Sequence, residues 1–192
     1  MTTPSNYEID LKGVRLAFPD LFMAKANPEY PDTPAQYGAT FLIDKEDPQV
    51  KVVQAKIKQL AEEAFKKGSD NVLKAIEHNP QKNCFMDGEF KGHLDGYSGC
   101  FALTAKNKRR PTVVDRDRTP LSEADGRPYS GCYVIAKVCL WAQEKQKAIR
   151  CSLLGVQFYK DGDAFGGGRV ASAEEFGDLS VEDEDTIDES LL

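Results

Sequence analysis

One strong helix pattern lies in a chain whose other regular segments are typical of strands. Residues 47–68 begin with Asp47, which can cap a helix, and Pro48, which suits its first turn, and they end at Gly68. A weaker helix pattern follows at residues 71–77. One substantial helix suits a small barrel with an inserted helix better than a doubly wound sheet. The apolar stripe of the helix consists of Val50, Val53, Ile57, Leu60, Ala61, Ala64 and Phe65.

The remaining regular segments carry strand patterns bounded by glycine and proline. The strongest are residues 99–106, 131–143 and 148–162, and Gly155 in the last of these suits a bulge. Residues 13–19 and 37–44 are two further strands, and the short run 112–114 can pair at a sheet edge. The proline-rich residues 22–38 between them favour an extended surface loop. The predicted fold is therefore mainly β, a barrel of five to six strands with one inserted amphipathic α-helix.

The composition excludes several classes of protein. The 192 residues suffice for one domain, and no run of about 20 apolar residues could span a bilayer, so we expect an intracellular protein. The five cysteines lack any CxxC spacing and are expected to be reduced, mostly buried thiols. His78 and His93 stand six or more residues from the nearest cysteine, so no zinc site, other metal or cofactor is expected.

Charge is distributed unevenly along the chain. All 25 Lys and Arg residues precede position 174, so residues 1–173 carry a net charge of +3 and residues 174–192 carry −9. We predict a folded domain over residues 1–170 and a disordered acidic C-terminal tail over residues 171–192, with a flexible hinge at Gly166 to Gly168. A mildly basic body with such a tail is compatible with a polyanion-binding surface that the tail can screen.

The sharpest positive cluster lies within thirteen residues after the strand at 99–106. Only Asp115 and Asp117 oppose it, and two interpretations stay open: a solvated loop with internal ion pairs, or a surface that follows phosphates. The basic members are Lys106, Lys108, Arg109, Arg110, Arg116 and Arg118.

The strand at 132–141 separates two unlike faces. Its alternate residues from Cys132 to Leu140 are apolar and suit the core, whereas Tyr133, Ile135, Lys137, Cys139 and Trp141 form the other face. Aromatic rings with a cation between them can stack bases and contact a phosphate, which is how single strands are bound without sequence readout. The alternative is that Tyr133 and Trp141 fill a second hydrophobic layer under the helix.

Three segments together resemble a known protein family. They read GYSGCFALTAKNKRRPTVVDRD, YSGCYVIAKVCLWA and LLGVQFYKDGDAFGGG, and an acidic tail follows them. In this order they are similar to the bacteriophage single-stranded DNA-binding proteins of the small OB-fold family. The resemblance covers most of residues 13–168. It implies a five-stranded barrel, a groove of basic and aromatic side chains, and a tail that competes for the groove and contacts replication partners.

The resemblance also assigns roles to residues. It implies binding of single-stranded DNA without base specificity during phage replication and recombination, in the cytoplasm of the infected bacterial host, with no covalent chemistry. Phage replication proteins such as a polymerase or nuclease are the expected tail partners, through Phe176, Leu191 and Leu192; a homodimer stays open. This tail ends in two leucines, whereas tails of this type commonly end in an aromatic residue. The resemblance carries over to Arg109, Arg110, Tyr133, Lys137 and Trp141. With the rest of the basic cluster, the expected nucleic-acid contacts are Lys106, Lys108, Arg109, Arg110, Arg116, Arg118, Tyr133, Lys137 and Trp141.

Two other functional classes remain as alternatives. A metal-dependent nuclease could use Asp32, Glu89 and Lys91 to hold magnesium and activate water. An acidic DNA mimic or protein-interaction module would explain the tail but would leave the basic cluster without a role.

Overall fold

The computed structural model describes residues 5–166 and Phe176. Within these residues seven strands and two helices follow one another. The sequence patterns predict all of them except the short third strand, although the first strand extends beyond the predicted residues 13–19 at both ends. The elements are β1 (Glu8–Lys25), β2 (Gln36–Asp44), α1 (Pro48–Phe65), α2 (Ser69–Ile76), β3 (Phe85–Asp87), β4 (Cys100–Asn107), β5 (Thr112–Val114), β6 (Tyr133–Gln143) and β7 (Ala148–Lys160).

Five of the strands close into a barrel. β1 pairs antiparallel with β2 and β6, β2 pairs with β4, and β6 pairs with β7. A parallel contact between β4 and β7, at Lys106 and Ser152, closes the ring. β3 extends the sheet beyond β4, and β5 pairs with β7 in parallel at the other edge, as predicted for residues 112–114. The mainly β barrel with an inserted helix is therefore confirmed.

β1 changes register at several points along its pairings with β2 and β6. Its register shifts between Leu11 and Val14, where Gly13 has a φ of 64°, and again between Ala17 and Asp20, where Phe18 has a φ of 47°. Bulges of this kind curve a strand and increase its twist. Positive φ at an aromatic residue is strained, and such strain gathers at functional sites.

The core fills the barrel and continues under α1. The apolar face of β6, from Cys132 to Leu140, is fully buried as predicted, and the predicted stripe of α1 packs against the same core. The side chain of Asp47 caps α1 by accepting a hydrogen bond from the Gln49 amide at 2.9 Å. The helix ends at Phe65 rather than Gly68, because Lys66 adopts a φ of 54° and a short 3₁₀ turn leads into α2.

A second, smaller apolar cluster covers part of the barrel's outside. Ala17, Leu42, Tyr97 and Ala102 form it, and Leu94 and Phe165 pack against it. The loop of residues 88–99 thus lies on the outer side of β1, β2 and β4. It is held at its base by Glu89, whose carboxylate accepts from the Gly99 amide at 2.8 Å and lies 3.6 Å from Lys45.

The structure can also be compared with the expectations for the loop, the cysteines and the tail. Residues 26–35 contain neither helix nor strand, which confirms the middle of the proline-rich loop predicted over residues 22–38, whereas residues 22–25 belong to β1 and 36–38 to β2. All five cysteines are free, and four of them are buried while Cys100 is half-buried. Within the described part of the chain, no helix combines the length and apolar character that crossing a bilayer requires. The predicted tail, apart from Phe176, and the predicted hinge, apart from Gly166, lie outside the described residues.

Candidate nucleic-acid interface

An aromatic ring lies between two cations on the outside of the barrel. Tyr133 of β6 is the register partner of Arg15 on β1 and of Lys160 on β7. The Arg15 guanidinium carbon lies 5.7 Å from the centroid of the Tyr133 ring, and the Lys160 Nζ lies 4.7 Å from it. A flat ring flanked by positive charges on neighbouring strands can stack a base while the cations meet the adjoining phosphates.

A bulge in β7 places a second tyrosine beside this ring. The register steps from Lys160 to Phe158 opposite consecutive residues of β6, so Tyr159 is the extra residue of the bulge and is 42% exposed. Lys160 Nζ lies 5.9 Å from the Tyr159 ring centroid. The bulge expected at Gly155 lies one residue earlier in the chain, because Leu154 is the extra, unpaired residue.

The chain crosses this surface directly after β7. Residues 161–166, the strap, are fixed by a hydrogen bond from Arg15 Nη2 to the Asp163 carbonyl at 2.8 Å and one from the Phe165 amide to the Ser130 carbonyl at 3.0 Å. The Phe165 ring lies against Gly96, where a Cβ atom would be 2.3 Å from it. The strap therefore occupies the space beside Arg15.

The aromatic surface continues across the small outer cluster towards β1. Phe18 is 58% exposed, and its ring centroid lies 6.3 Å from that of Tyr97. Next to them the side chains of Thr40 and Thr104 share a hydrogen bond of 3.2 Å across β2 and β4. We call the surface from Tyr159 through Tyr133 and Arg15 to Phe18 the outer face.

Four of the predicted basic residues lie beyond the far end of the outer face. Lys106 pairs in register with Gly38 on β2, and the loop after β4 carries exposed Lys108, Arg109 and Arg110. The Arg110 guanidinium carbon lies 5.9 Å from the Phe22 ring centroid of β1. This group therefore sits at the end of β1 that follows Phe18.

The other two predicted arginines have acidic surroundings. Arg116 and Arg118 lie in the turn after β5, where Asp115, Asp117 and Asp161 also line a shallow depression. Asp115 is paired with Arg127, and the hydrogen bond from Arg127 holds the pKa of the Asp115 carboxyl below its ordinary value. The carboxylates lower the positive potential that a phosphate would meet there.

Lys137 and Trp141 extend along β6 away from Tyr133. Lys137 is 65% exposed and forms an ion pair with Asp10, its register partner, at 2.8 Å. Trp141 is half-buried and pairs in register with Arg150. Trp141 lies eight residues further along the strand than Tyr133, a distance of roughly 26 Å.

Cys139 lies on the same face of β6, as the alternation predicts, and it is buried there, as expected of the cysteines. Its side chain is 4% exposed and belongs to the main core, because α1 packs on this end of β6. The open face of β6 is therefore interrupted between Lys137 and Trp141.

The sequence patterns did not identify four residues of the outer face: Arg15, Phe18, Tyr159 and Lys160. Alternation in residues 13–19 does put Arg15 on the polar face of its strand, and an aromatic residue followed by lysine at the end of β7 is a weaker signal of the same kind. The same alternation puts Phe18 on the apolar face with Val14 and Leu16, and its exposure in the structure follows from the bulge at that point.

The structure also locates residues named for the tail and for the nuclease alternative. Phe176 is 71% exposed, whereas Leu191 and Leu192 lie outside the described residues. Among residues 5–166 no three His, Cys, Asp or Glu side chains gather as a metal site would require. Glu89, proposed for the nuclease alternative, instead binds the Gly99 amide and Ser98, and the hydrogen bond from Gly99 chiefly lowers its pKa.

Comparisons with known proteins identify the family of this chain. The family model described as Enterobacter phage Enc34, ssDNA-binding protein matches residues 7–187. Protein p50 of Acyrthosiphon pisum secondary endosymbiont phage 1 is 43% identical over 183 residues, which span 94% of this chain and 98% of that protein.

Two solved structures share the fold. The single-stranded DNA-binding protein from bacteriophage Enc34, in complex with ssDNA, aligns with a TM-score of 0.69 and 23% identity over 84% of this chain and 91% of its own. The protein gp2.5, a single-stranded DNA-binding protein encoded by bacteriophage T7, aligns with a TM-score of 0.50 and 17% identity over 92% of this chain and 98% of its own. The resemblance inferred from the sequence is confirmed, and this chain belongs to the family of the phage Enc34 ssDNA-binding protein.

Proposed function

We propose that this protein binds single-stranded DNA on its outer face, without base specificity. The observation that carries the proposal is the position of Tyr133 between Arg15 and Lys160, on three paired strands. Stacking on an aromatic ring tolerates any base, and the two cations supply contacts to phosphates. The structure of the phage Enc34 relative in complex with ssDNA supports the same type of ligand.

The bound strand follows the aromatic residues from Tyr159 and Tyr133 past Arg15 to Phe18. It then reaches the basic end of the barrel, where its phosphates meet Lys106, Lys108, Arg109 and Arg110. Lys137 contributes if a phosphate replaces Asp10, and Trp141 stacks a base if the strand extends along β6. Arg116 and Arg118 are secondary contacts, because Asp115 and Asp117 lie beside them.

The acidic tail, residues 171–192, competes with DNA in this proposal. The last described residues before the tail form the strap, which already engages Arg15 beside the proposed binding surface. When DNA displaces the tail, Phe176, Leu191 and Leu192 become available to a replication protein such as a polymerase or nuclease. The protein then protects phage replication and recombination intermediates in the host cytoplasm and performs no covalent chemistry itself.

Fluorescence titration of a labelled dT oligonucleotide at two salt concentrations tests the core of this proposal. We expect affinity to fall steeply as salt rises, because released counterions drive the association. Replacing Arg15 with Gln should weaken binding and reduce the salt dependence. If the affinity does not depend on salt and is the same in Arg15→Gln, the outer face is not the binding surface. Cleavage of the labelled strand in the presence of magnesium would favour the nuclease alternative.

A further inference from the structure

A small cavity opens beside the outer face, between β3, β4 and the loop of residues 88–99. Its volume is about 210 Å³. Pockets for drug-sized ligands begin at roughly 300 Å³, so this cavity suits one small ring system rather than a peptide segment. Its lining includes Asn83, Met86, Asp87, Phe90, Lys91, Tyr97, Ala102 and Thr104.

The cavity is continuous with the proposed path of the DNA strand. Tyr97 lines the cavity and also contacts Phe18 on the outer face. Thr104 lines it as well, and its hydroxyl group meets that of Thr40 on the neighbouring strand. A base that leaves the stacked path between Phe18 and Lys106 therefore has the cavity mouth next to it.

Phe90 provides an exposed and ordered aromatic wall. Its side chain is 54% exposed, and its ring stacks on His78 with the centroids 5.1 Å apart and the planes at 27°. A large exposed aromatic side chain held in this way is prepared to stack, since little rotational freedom remains to be lost on binding.

The polar groups of the cavity include donors and an acceptor. The Asn83 side-chain oxygen accepts from the Phe85 amide at 3.0 Å, which leaves the two donors of its amide group for other partners. The Asp87 carboxylate accepts from the Glu89 amide, the main reason its pKa is lowered, and it pairs with Lys45 at 3.0 Å. Lys91 is exposed at the rim, where it can meet a phosphate.

We propose that this cavity binds one unstacked nucleobase of the single strand. Phe90 stacks on the base, Asn83 and Asp87 face its hydrogen-bonding edge, and Lys91 contacts a neighbouring phosphate. Enzymes that extrude bases from a strand bind them with the same combination of stacking walls and edge contacts. The inference rests on the proposed function, because it needs a strand on the outer face, and it adds a site that stacking on Tyr133 does not require.

The test compares two exposed apolar side chains on two polymers. Phe90→Ala removes the stacking wall, and Val52→Ala on α1 is the control, since Val52 is 49% exposed and its helix lies outside the proposed path. Each variant is titrated with a dT oligonucleotide and with an abasic oligonucleotide of the same length. We expect Phe90→Ala to weaken dT binding by about 5- to 150-fold, the loss of one base stack, and to leave abasic binding unchanged. Val52→Ala should change neither.

A substitution that retains the ring provides a second readout. Phe90→Trp should keep the affinity for dT, and the fluorescence it adds to that of the wild-type protein should fall with dT but not with the abasic polymer. Thermal unfolding of each variant, followed by circular dichroism, reports whether the fold is kept.

Three outcomes overturn the proposal. The first is unchanged dT affinity in Phe90→Ala together with unquenched Phe90→Trp fluorescence, and the second is an equal loss of affinity for both polymers. The third is an effect of Phe90→Ala that disappears when residues 174–192 are deleted, since the tail would then be the occupant. If the proposed function itself fails, the wild-type protein binds neither polymer in a salt-dependent manner, which distinguishes the two failures.

Discussion

The guanidinium carbon of Arg15 lies 4.4 Å from the centroid of the Phe165 ring. The same side chain donates from Nη2 to the Asp163 carbonyl and from Nε to the Gly131 carbonyl, at 2.8 and 3.0 Å. A cation proposed to meet DNA is thus already engaged by the strap that leads into the acidic tail. In the proposed function DNA and the C-terminal segment share Arg15 as a binding group, and the first prediction follows from this.

Deleting residues 174–192 should tighten binding of single-stranded DNA at low salt by about tenfold, equivalent to roughly 1.4 kcal/mol. Nine negative charges no longer compete for the outer face. Because salt screens the tail and DNA alike, the difference should shrink as salt rises. Titrations of both proteins over a salt series measure it, and equal affinities at every salt concentration would leave the tail with a recruiting role alone.

Removing cations from the proposed path should lower the salt dependence of binding. Lys160→Ala should reduce the slope of log K against log salt by about 0.7, and the double replacement of Arg109 and Arg110 by Ala by about twice that. Lys58→Ala on α1 is the matched control, since Lys58 is exposed but far from these residues in the fold. A variant whose slope equals that of the control has lost no phosphate contact.

The two candidate stacking residues of β6 should differ in their effects. Tyr133→Ala should weaken binding by about 1 to 3 kcal/mol, as expected for one stacked base. Trp141→Ala should weaken it less, because Trp141 lies at the far end of β6, away from Arg15 and Lys160, and it should lower the melting temperature instead. Oligonucleotide titration and thermal unfolding of both variants test this, and a larger affinity loss at Trp141 would move the binding path along β6.

The ion pairs at the base of the 88–99 loop should make stability depend on acid pH. The pKa values of Asp87 and Glu89 are lowered, chiefly by hydrogen bonds from the Glu89 and Gly99 amides and further by Lys45. Carboxyl groups of this kind stabilise the fold above their unfolded pKa, and the contribution is lost as pH falls through the folded value. Melting temperatures between neutral and acid pH should therefore fall less steeply in Lys45→Met than in the wild-type protein. If the melting temperatures of the two proteins fall equally between neutral and acid pH, Lys45 does not contribute to this pH dependence.

The cysteines should react slowly in the native state. Burial raises the pKa of Cys132 to about 11 and raises the pKa of Cys151 well above its ordinary value, so little reactive thiolate forms at pH 8. Reaction with a chromogenic disulfide should label at most Cys100 quickly, since it is half-buried, and all five cysteines after unfolding. Peptide mass spectrometry identifies the labelled sites, and rapid native labelling of Cys132 would contradict its burial.

Sequence periodicity predicted the elements well because each pattern is local. The stripe of α1 and the alternation in β6 follow from side chains a few residues apart, and so does the cap at Asp47. The end of α1 at Phe65 was missed because Lys66 takes a left-handed conformation that its residue type does not favour.

The candidate site was predicted less completely, because it depends on contacts between distant segments. Period two places Arg15 and Tyr133 on the polar sides of their own strands, but only the register of β1 against β6 brings them together. Tyr159 and Phe18 are exposed through bulges, which shift the alternation by one residue. The burial of Cys139 on that face of β6 depends on α1, a helix from another part of the chain that packs on this end of the strand.

The pairing of β1 with β6 also determines when this protein can begin to work during its synthesis. The two strands lie more than a hundred residues apart in the chain, so β1 leaves the ribosome well before its partner exists. At elongation rates of about 5 to 20 residues per second the wait is on the order of ten seconds. During that interval one edge of β1 is unpaired, and pairing of such long range is slow to form. Because Arg15 and Tyr133 meet only across this pair, a nascent chain cannot assemble the outer face before β6 emerges.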